Sequence, residues 1–143
     1  MERQVLAEKY CLKLENPTVQ DFLLLRSKIG WGELDANLAE MSLNNGLFQV
    51  TIYHDGQLIG MGRVVGDGAM YFYIQDVIVD PSYQKQGLGT VLMDTIEGYL
   101  RYTARKGSTI GLLAAAGRES FYARYGYIQR PNQTMGHGMC RFV

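Results

Sequence analysis

A glycine-containing loop between a strand pattern and a helix pattern constrains this sequence more than any other feature. Residues 70–79 are rich in aromatic and β-branched side chains, which predicts a strand. The segment that we call the glycine loop follows as Gln84-Lys85-Gln86-Gly87-Leu88-Gly89. Apolar residues then recur every three or four positions, which predicts a long helix with one apolar stripe of Leu88, Leu92, Ile96, Tyr99 and Leu100. Such a turn at a helix N-terminus presents unpaired N–H groups and a partial positive charge, so we predict an anion site.

The balanced charge of the chain restricts what that anion can be. Lys and Arg total 14, and Asp and Glu also total 14, among 143 residues. A dedicated nucleic-acid binder usually carries a basic excess, so we expect no DNA or RNA partner, and no attachment to acidic membranes by bulk charge. Gly87 and Gly89 have no Cβ, so a ligand can approach their backbone closely. A neutral protein can therefore bind an anionic cofactor without a basic patch.

Two common phosphate-binding folds do not fit the loop. A Walker loop needs the string GxxxxGK[ST], which does not occur in the sequence. The dinucleotide fingerprint GxGxxG fails at its third glycine, where this chain has Leu92. The strands before the loop also indicate an antiparallel meander, because Asp55-Gly56 is a type I′ hairpin signal and residues 66–68 mark a second tight turn. Both folds are therefore disfavoured.

The remaining patterns predict one mixed α/β domain over residues 1–143, a length that suits a single domain. Residues 10–14 and 109–113 alternate or are apolar as strands are. Thr18 is suited to begin one helix with Asp21 as its partner, and residues 35–43 predict a second helix with Leu34, Leu38 and Met41 on one side. Residues 119–125 predict a short helix, and residues 127–129 and 138–143 predict closing strands.

Cysteine spacing and the N-terminus indicate the compartment. Cys11 and Cys140 lie at opposite ends of the chain, with no spacing that suggests a metal site, and reduced thiols are the expected state. The N-terminal sequence has no apolar core of signal-peptide type, and no apolar run reaches the roughly 20 residues of a membrane span. We therefore expect a cytoplasmic protein with no membrane partner.

Two motifs in the chain resemble those of the GNAT superfamily of N-acetyltransferases. The glycine loop matches every fixed position of the family signature [Gln/Arg]-x-x-Gly-x-[Gly/Ala], and residues 77–83 look like the family's strand and turn. Residues 121–127 resemble the later motif Phe-Tyr-x-x-x-Gly-Phe, with Tyr127 in the last place. The order of elements agrees over almost the whole chain. The resemblance implies a mixed, mostly antiparallel sheet flanked by helices, with its central strands splayed around acetyl-CoA.

The resemblance also implies how the cofactor would be held. The pyrophosphate of acetyl-CoA would lie against the backbone amides of the glycine loop and the next residue, namely Gln84, Lys85, Gln86, Gly87, Leu88, Gly89 and Thr90. The pantetheine arm would run along the central strand at Val77, Ile78 and Val79. An amide near Val77 or Ile78 would polarise the thioester carbonyl, because its dipole is already in place. CoA would be the product, and no metal is implied.

The same resemblance assigns candidate catalytic and acceptor residues. Tyr122 corresponds to the family tyrosine that protonates the departing thiolate, which is a suitable task for a phenol. The acceptor-facing positions fall on Tyr73 and Gln75, and neither is a good base, so we expect a water chain to remove the proton. Asp76 should point to the other face of its strand unless a bulge rotates it. Trp31 is an acceptor-site candidate, with core packing as an equal alternative.

These residues predict an N-acetyltransferase that moves an acetyl group from acetyl-CoA to a primary amine by direct attack in a ternary complex. A small-molecule acceptor is expected, because no acidic groove for a basic peptide is evident. Acetylation of a protein N-terminus or lysine, and a non-catalytic CoA-binding regulatory module, are the alternatives. Because relatives often dimerise, a homodimer also stays open. His54, next to a hairpin turn, is expected at the surface.

Overall fold

The computed structural model describes residues 5–143. Residues 1–4 lie outside that range, and they include part of the N-terminal segment for which the sequence predicts no signal peptide. The described elements are β1 Tyr10–Lys13, α1 Val19–Lys28, α2 Ala36–Asn44, β2 Phe48–His54, β3 Gln57–Gly66, β4 Tyr71–Val79, α3 Leu88–Thr103, β5 Thr109–Leu112 and α4 Glu119–Ala123, with a short 3₁₀ turn Pro81–Tyr83 before α3. Within this range, no helix is long and apolar enough to cross a membrane.

The five strands form one sheet in the order β1-β2-β3-β4-β5, so neighbours in the chain are neighbours in the sheet. The pairs β1–β2, β2–β3 and β3–β4 are antiparallel, which confirms the predicted meander. The expected mixed α/β fold, a sheet flanked by helices, is also confirmed.

Both tight turns of the meander use positive φ angles, which residues with a side chain rarely adopt. Asp55 has φ +50° and Gly56 has φ +77°, the left-handed pair that a type I′ hairpin requires. At the next turn Gly66 has φ +145°, and a Cβ there would lie 2.1 Å from the carbonyl oxygen of Tyr71. Only glycine fits that position. The Asp67 carboxylate closes this turn by accepting from the N–H of Ala69, Met70 and Tyr71.

Helices α1 and α2 begin at side-chain caps and cover one face of the sheet. Thr18 Oγ1 accepts from the N–H of Asp21 at 3.1 Å, as predicted, and the Asp35 carboxylate accepts from the N–H of Leu38 at 3.0 Å. The core on this face consists of Phe22, Leu25, Ala39, Leu43, Leu58, Met61 and Ile78. The side of α2 that carries Leu38 and Met41 is not the buried one, since these side chains are 55% and 63% exposed.

Helix α3 packs against the opposite face of the sheet. Its buried residues, Leu88, Val91, Leu92, Met93, Ile96 and Leu100, include most of the predicted apolar stripe. The helix lies so close to β3 that a Cβ at Gly62 would come within 2.8 Å of Ile96 Cδ1. A Cβ at Gly60 would lie 3.5 Å from Leu92 Cδ1, an ordinary contact distance. Close packing at Gly62 therefore fixes the height of α3 above the strands.

The chain divides into two compact units, Met1–Ile110 and Gly111–Val143. The single-domain expectation therefore stays a prediction. In the smaller unit, the rings of Phe121, Tyr122 and Tyr125 form a group of edge-to-face contacts around α4. The predicted closing strands at residues 127–129 and 138–143 are wrong, because neither segment forms a strand in the structure. Pro131 has no N–H to donate, and the Asn132 side chain accepts from the N–H of both Thr134 and Met135, which makes a turn there.

Candidate functional site

The glycine loop joins β4 to α3 through left-handed backbone. Lys85 has φ +63° and Gly87 has φ +80°, and Gly87 is the N-cap of α3. Left-handed residues in a loop turn successive N–H groups toward one side, which is the geometry of anion-binding nests. The first turn of a helix has N–H groups without partners inside the helix, and Gly87 has no side chain to cap them. The residues present therefore fit the phosphate-bearing donor that the sequence predicts.

Two ties hold the start of this loop to the sheet and to α1. The Gln84 side-chain amide donates to the carbonyl of Val79 at 3.1 Å. The buried Asp80 carboxylate accepts from Lys28 Nζ and from the N–H of Ser82, both at 2.9 Å. Burial opposes ionisation of Asp80, but the hydrogen bonds from Lys28 and Ser82 outweigh it and hold the pKa of this carboxyl below its usual value. Gln84 and Asp80 thus have structural contacts in the loop.

A second set of contacts, absent from the sequence predictions, joins residues 83–86 to the paired residues at the start of β1 and the end of β2. The Tyr10 hydroxyl donates to Gln86 Oε1, and His54 Nδ1 lies 2.8 Å from the hydroxyl of Tyr83. His54 is only partly at the surface that was expected for it, because its side chain is 28% exposed and packs among aromatic rings. No local pattern could reveal the contact between Tyr10 and Gln86, because 76 residues separate them.

Val77, Ile78 and Val79, the expected pantetheine positions, form the last part of β4. Val77 and Val79 are half-buried, whereas the Ile78 side chain is buried in the core under α1 and α2. Met61 pairs with Ile78, and Gly60 with Val79, so these residues are hydrogen-bonded to β3 along one side. Any role of Ile78 toward a ligand must therefore come from its backbone.

A bulge interrupts β4 just before these residues. Met61 pairs with Ile78 but Arg63 pairs with Gln75, so β4 has one more residue than β3 between the two pairs. Asp76 lies in this bulge with φ +54°. The bulge rotates Asp76 toward α1, onto the face that Gln75 also occupies, which is the exception that the sequence argument allowed for.

The Asp76 carboxylate is bound by two arginines at this bulge. It lies 3.5 Å from Arg26 Nη1 and 3.6 Å from Arg63 Nε, and its residue is only 6% exposed. Burial lowers the pKa of the Arg63 guanidinium, although the Asp76 carboxylate opposes the shift. Asp76 therefore joins strand β4 to strand β3 and helix α1 through charged contacts.

An open cavity of about 520 Å³ lies beside the bulge, between α2 and the strands. The acceptor candidates Tyr73 and Gln75 line it, together with Leu38, Met41, Ser42, Asn45, Arg63 and Val65. Trp31 lies elsewhere, in the loop after α1, where its ring is 5.3 Å from the guanidinium carbon of Arg26. Arg26 thus connects Trp31 to Asp76, and the side chain of Gln75 donates to the same carboxylate at 3.3 Å.

Tyr122, the candidate acid, lies in α4 of the smaller unit. Its side chain packs against Phe121, with ring centroids 5.0 Å apart. Burial raises the pKa of the Tyr122 phenol above its usual value of 10.0, and the nearby Arg118 only partly opposes the shift. Its phenol therefore stays protonated at neutral pH, as a proton donor must.

Comparison with known proteins identifies the family. The family model of the acetyltransferase (GNAT) domain matches residues 33–143. A protein from methicillin-resistant Staphylococcus aureus, described as a probable acetyltransferase, superposes with a TM-score of 0.86 at 33% identity, and the match covers 94% of this chain and 99% of that one. A GNAT-family acetyltransferase from Streptococcus pneumoniae is 28% identical with a TM-score of 0.68, covering 84% and 88%.

Curated relatives bear the same kind of name. An uncharacterised N-acetyltransferase of the ycf52 type from Gracilaria tenuistipitata is 29% identical, covering 82% of this chain and 66% of the relative. A ycf52-like protein from Prochlorococcus marinus is 34% identical, covering 75% and 61%. The chain thus spans just under two thirds of the length of these two relatives. Because the family model matches well over half of the chain, the chain belongs to the GNAT family of acetyl-transferring enzymes.

Proposed function

We propose that this protein transfers an acetyl group from acetyl-CoA to the primary amine of a small molecule, within a ternary complex. The observation that carries the small-molecule assignment is the cavity between α2 and β4. Among its lining residues, which all belong to the described part of the chain, none is acidic, and Arg63 is the one with a charge. A basic peptide or a polyamine would find no carboxylate there to balance its charge.

The walls of the cavity suit an amine with an apolar body. Leu38 and Met41 expose apolar side chains on α2, and Val65 and the ring of Tyr73 face them from the strands. Pockets for small molecules typically combine such walls with a few polar groups that fix orientation. Ser42, Asn45 and Gln75 supply polar groups here. We therefore propose a monoamine with an apolar or aromatic body.

Three parts of the chain, the start of α3, residues 77–79 and Tyr122, have separate tasks in this reaction. Acetyl-CoA supplies the activated acetyl group. The N–H groups at the start of α3 hold its pyrophosphate, and the backbone of residues 77–79 aligns the pantetheine arm. The amine nitrogen would form a bond to the thioester carbon as the carbon–sulfur bond breaks, and Tyr122 would give its phenolic proton to the leaving sulfur and regain one from water.

The proton lost by the amine goes to water in this mechanism. The Asp76 carboxylate lies on the correct face of β4, but Arg26, Arg63 and the Gln75 amide already bind its oxygens. Neither Tyr73 nor Gln75 is basic enough to replace it. An open cavity admits water next to the acceptor, and water can carry the proton away.

Acetylation of protein amines is the second candidate. A soybean relative that is 30% identical over 82% of this chain is named a histone acetyltransferase, whereas a rice relative, 31% identical over 60%, is named a serotonin N-acetyltransferase. Family membership therefore fits both acceptor classes. The cavity, with its apolar walls and its arginine, favours the small monoamine.

Thiol release from acetyl-CoA across a panel of amines tests the proposal. We expect turnover with arylalkyl and alkyl monoamines, and little with spermidine or with lysine-containing peptides. Turnover restricted to peptides would replace the small-molecule assignment with the protein alternative. If acetyl-CoA raises the melting temperature but no amine turns over, the protein is a CoA-binding module, since a ligand of the folded state must stabilise it.

We also propose that the protein resides in a reducing compartment, as the cytoplasm is. Cys11 and Cys140 are both free and exposed, a state that reducing conditions preserve. Cell fractionation with an antibody to the protein tests this, and recovery from an oxidising compartment would overturn it.

A further inference from the structure

Three aromatic side chains and one amide form a cluster behind the glycine loop. We call it the loop support, and it consists of Tyr10 at the start of β1, His54 at the end of β2, Tyr83 before the glycine loop and Gln86 within it. The rings of Tyr10 and His54 meet edge to face with centroids 5.6 Å apart, and those of His54 and Tyr83 do so at 5.5 Å. The Tyr10 hydroxyl donates to Gln86 Oε1.

We propose that the loop support positions the backbone of the glycine loop for the pyrophosphate of CoA. The inference rests on the proposed use of acetyl-CoA as donor. Gln86 lies between the two left-handed residues Lys85 and Gly87, so its backbone torsion angles orient the N–H groups of Gln86 and Gly87. Tyr10 holds the side chain of Gln86, and this leaves the backbone of that residue as the part that can face an anion.

The backbone of the glycine loop needs such support. Lys85 is not a glycine, and a left-handed conformation is unfavourable for it, so the contacts of its neighbours must hold it in place. Lys28 and Gln84 hold the beginning of this segment through Asp80 and Val79. The hydrogen bond from Tyr10 is the tie that lies next to Gly87, where α3 starts.

The pattern of burial indicates a role in positioning. Tyr10 is only 8% exposed, and its hydroxyl would lose a partner without Gln86. Gln86 itself is exposed and adds nothing to the apolar core. A contact that buries no apolar surface on the loop side restricts where the loop lies more than it stabilises the fold.

The first test replaces the tyrosine hydroxyl alone. Tyr10→Phe keeps the ring contacts and removes the hydrogen bond to Gln86, so we expect the KM for acetyl-CoA and the Kd for CoA to rise about two- to tenfold. The turnover number and the KM for the amine should stay unchanged. Tyr102→Phe is the matched control, because Tyr102 lies near the end of α3 and is 91% exposed.

Calorimetric titration with CoA separates the two proposals. If the wild type does not bind CoA, the proposed donor is wrong. If the wild type binds CoA and Tyr10→Phe binds it equally well, the role of the loop support is wrong. Equal increases in the KM for acetyl-CoA and in the KM for the amine would also overturn the role of the loop support, since they would indicate a general structural defect.

A shortened donor locates the effect. S-acetylpantetheine carries the same thioester but no pyrophosphate, so the loss in kcat/KM caused by Tyr10→Phe should disappear with this donor. Gln86→Ala should weaken CoA binding to a similar extent, and the double variant should be no weaker than Gln86→Ala, because both changes break one contact. A loss that persists with S-acetylpantetheine, or additive losses in the double variant, would contradict the proposal.

Discussion

The carboxylate of Asp76 lies 3.6 Å from Nε of Arg63, and this buried pair joins the bulge of β4 to the neighbouring strand β3. Arg26 adds a second positive charge from α1, 3.5 Å from the same carboxylate. Both Arg26 and Arg63 have a buried Nε without a hydrogen-bond partner among the described residues. The negative charge of Asp76 therefore offsets the cost of burying their positive charges. The bulge beside the cavity is therefore held by charge as well as by backbone pairing.

Removing the charge of Asp76 should be costly. Asp76→Asn keeps the size and the tolerance for left-handed backbone but leaves two guanidinium groups without a counter-ion, so we expect the free energy of unfolding to fall by about 3 kcal/mol. Chemical denaturation measures this. Asp55→Asn is the matched control, since Asp55 also has a positive φ but its side chain is 91% exposed. Equal effects of the two substitutions would rule out the charged contacts as the cause.

The proposed acid role of Tyr122 predicts a specific kinetic loss. Tyr122→Phe removes the proton donor and should lower kcat about 100-fold, with the KM for acetyl-CoA little changed. Because burial raises the pKa of this phenol above 10.0, wild-type kcat should show no loss from its ionisation until the pH exceeds that value. Tyr125→Phe, in the same motif, is the control and should retain activity. Full activity of Tyr122→Phe across the pH range would remove Tyr122 from the mechanism.

Asp80 should give a stability difference that depends on acid pH. Its folded-state pKa is below the usual 3.8, so its stabilisation is present above that value and is lost as the pH falls through the folded-state pKa. We expect Asp80→Asn to lower the free energy of unfolding by about 2 kcal/mol at pH 7. The gap to wild type should narrow below pH 3.8. Glu40→Gln, on the exposed side of α2, should show no such gap, and a constant gap for Asp80→Asn would argue against the linkage.

Two glycines of the same region predict opposite outcomes for one substitution. Gly87→Ala places a Cβ at φ +80° at the start of α3, a conformation that costs about 1–2 kcal/mol, and we expect weaker CoA binding. Gly98→Ala adds a methyl group within α3 where nothing lies within 4 Å, so it should raise the melting temperature through helix propensity. Thermal denaturation with and without CoA measures both. Unchanged CoA affinity in Gly87→Ala would show that this conformation is not needed for the ligand.

An added charge tests the proposed acceptor role of the cavity. Met41 is 63% exposed on α2, so Met41→Glu should leave the fold intact while it adds a carboxylate to the apolar wall. We expect a higher KM for apolar monoamines, a lower KM for diamines and an unchanged KM for acetyl-CoA. Met70→Glu, at a similarly exposed methionine that does not line the cavity, is the control. If both variants alter amine preference equally, the cavity is not the acceptor site.

Local signals explain why much of this fold is predictable. The Asp55-Gly56 turn and the apolar stripe of α3 depend on residues that are close in sequence, and both appear as predicted. The closing strands failed because their alternation had no partner strand, and the turn at Asn132 was not recognised. No glycine marks the bulge at Asp76 in the sequence. Its backbone is held instead by ion pairs from two other elements. Contacts of that kind depend on the assembled tertiary structure.

Gly62 shows how a residue outside the glycine loop can affect it. The helix lies on β3 where a methyl group would strike Ile96, and Ile96 is eight residues from Leu88, a length of roughly 12 Å along the helix axis. A side chain at Gly62 would push the middle of α3 away from β3, and the stiff helix would tilt about that contact. This tilt would move the first turn of α3 away from the end of β4. The absence of a Cβ at Gly62 therefore sets the spacing between the start of the helix and the end of that strand.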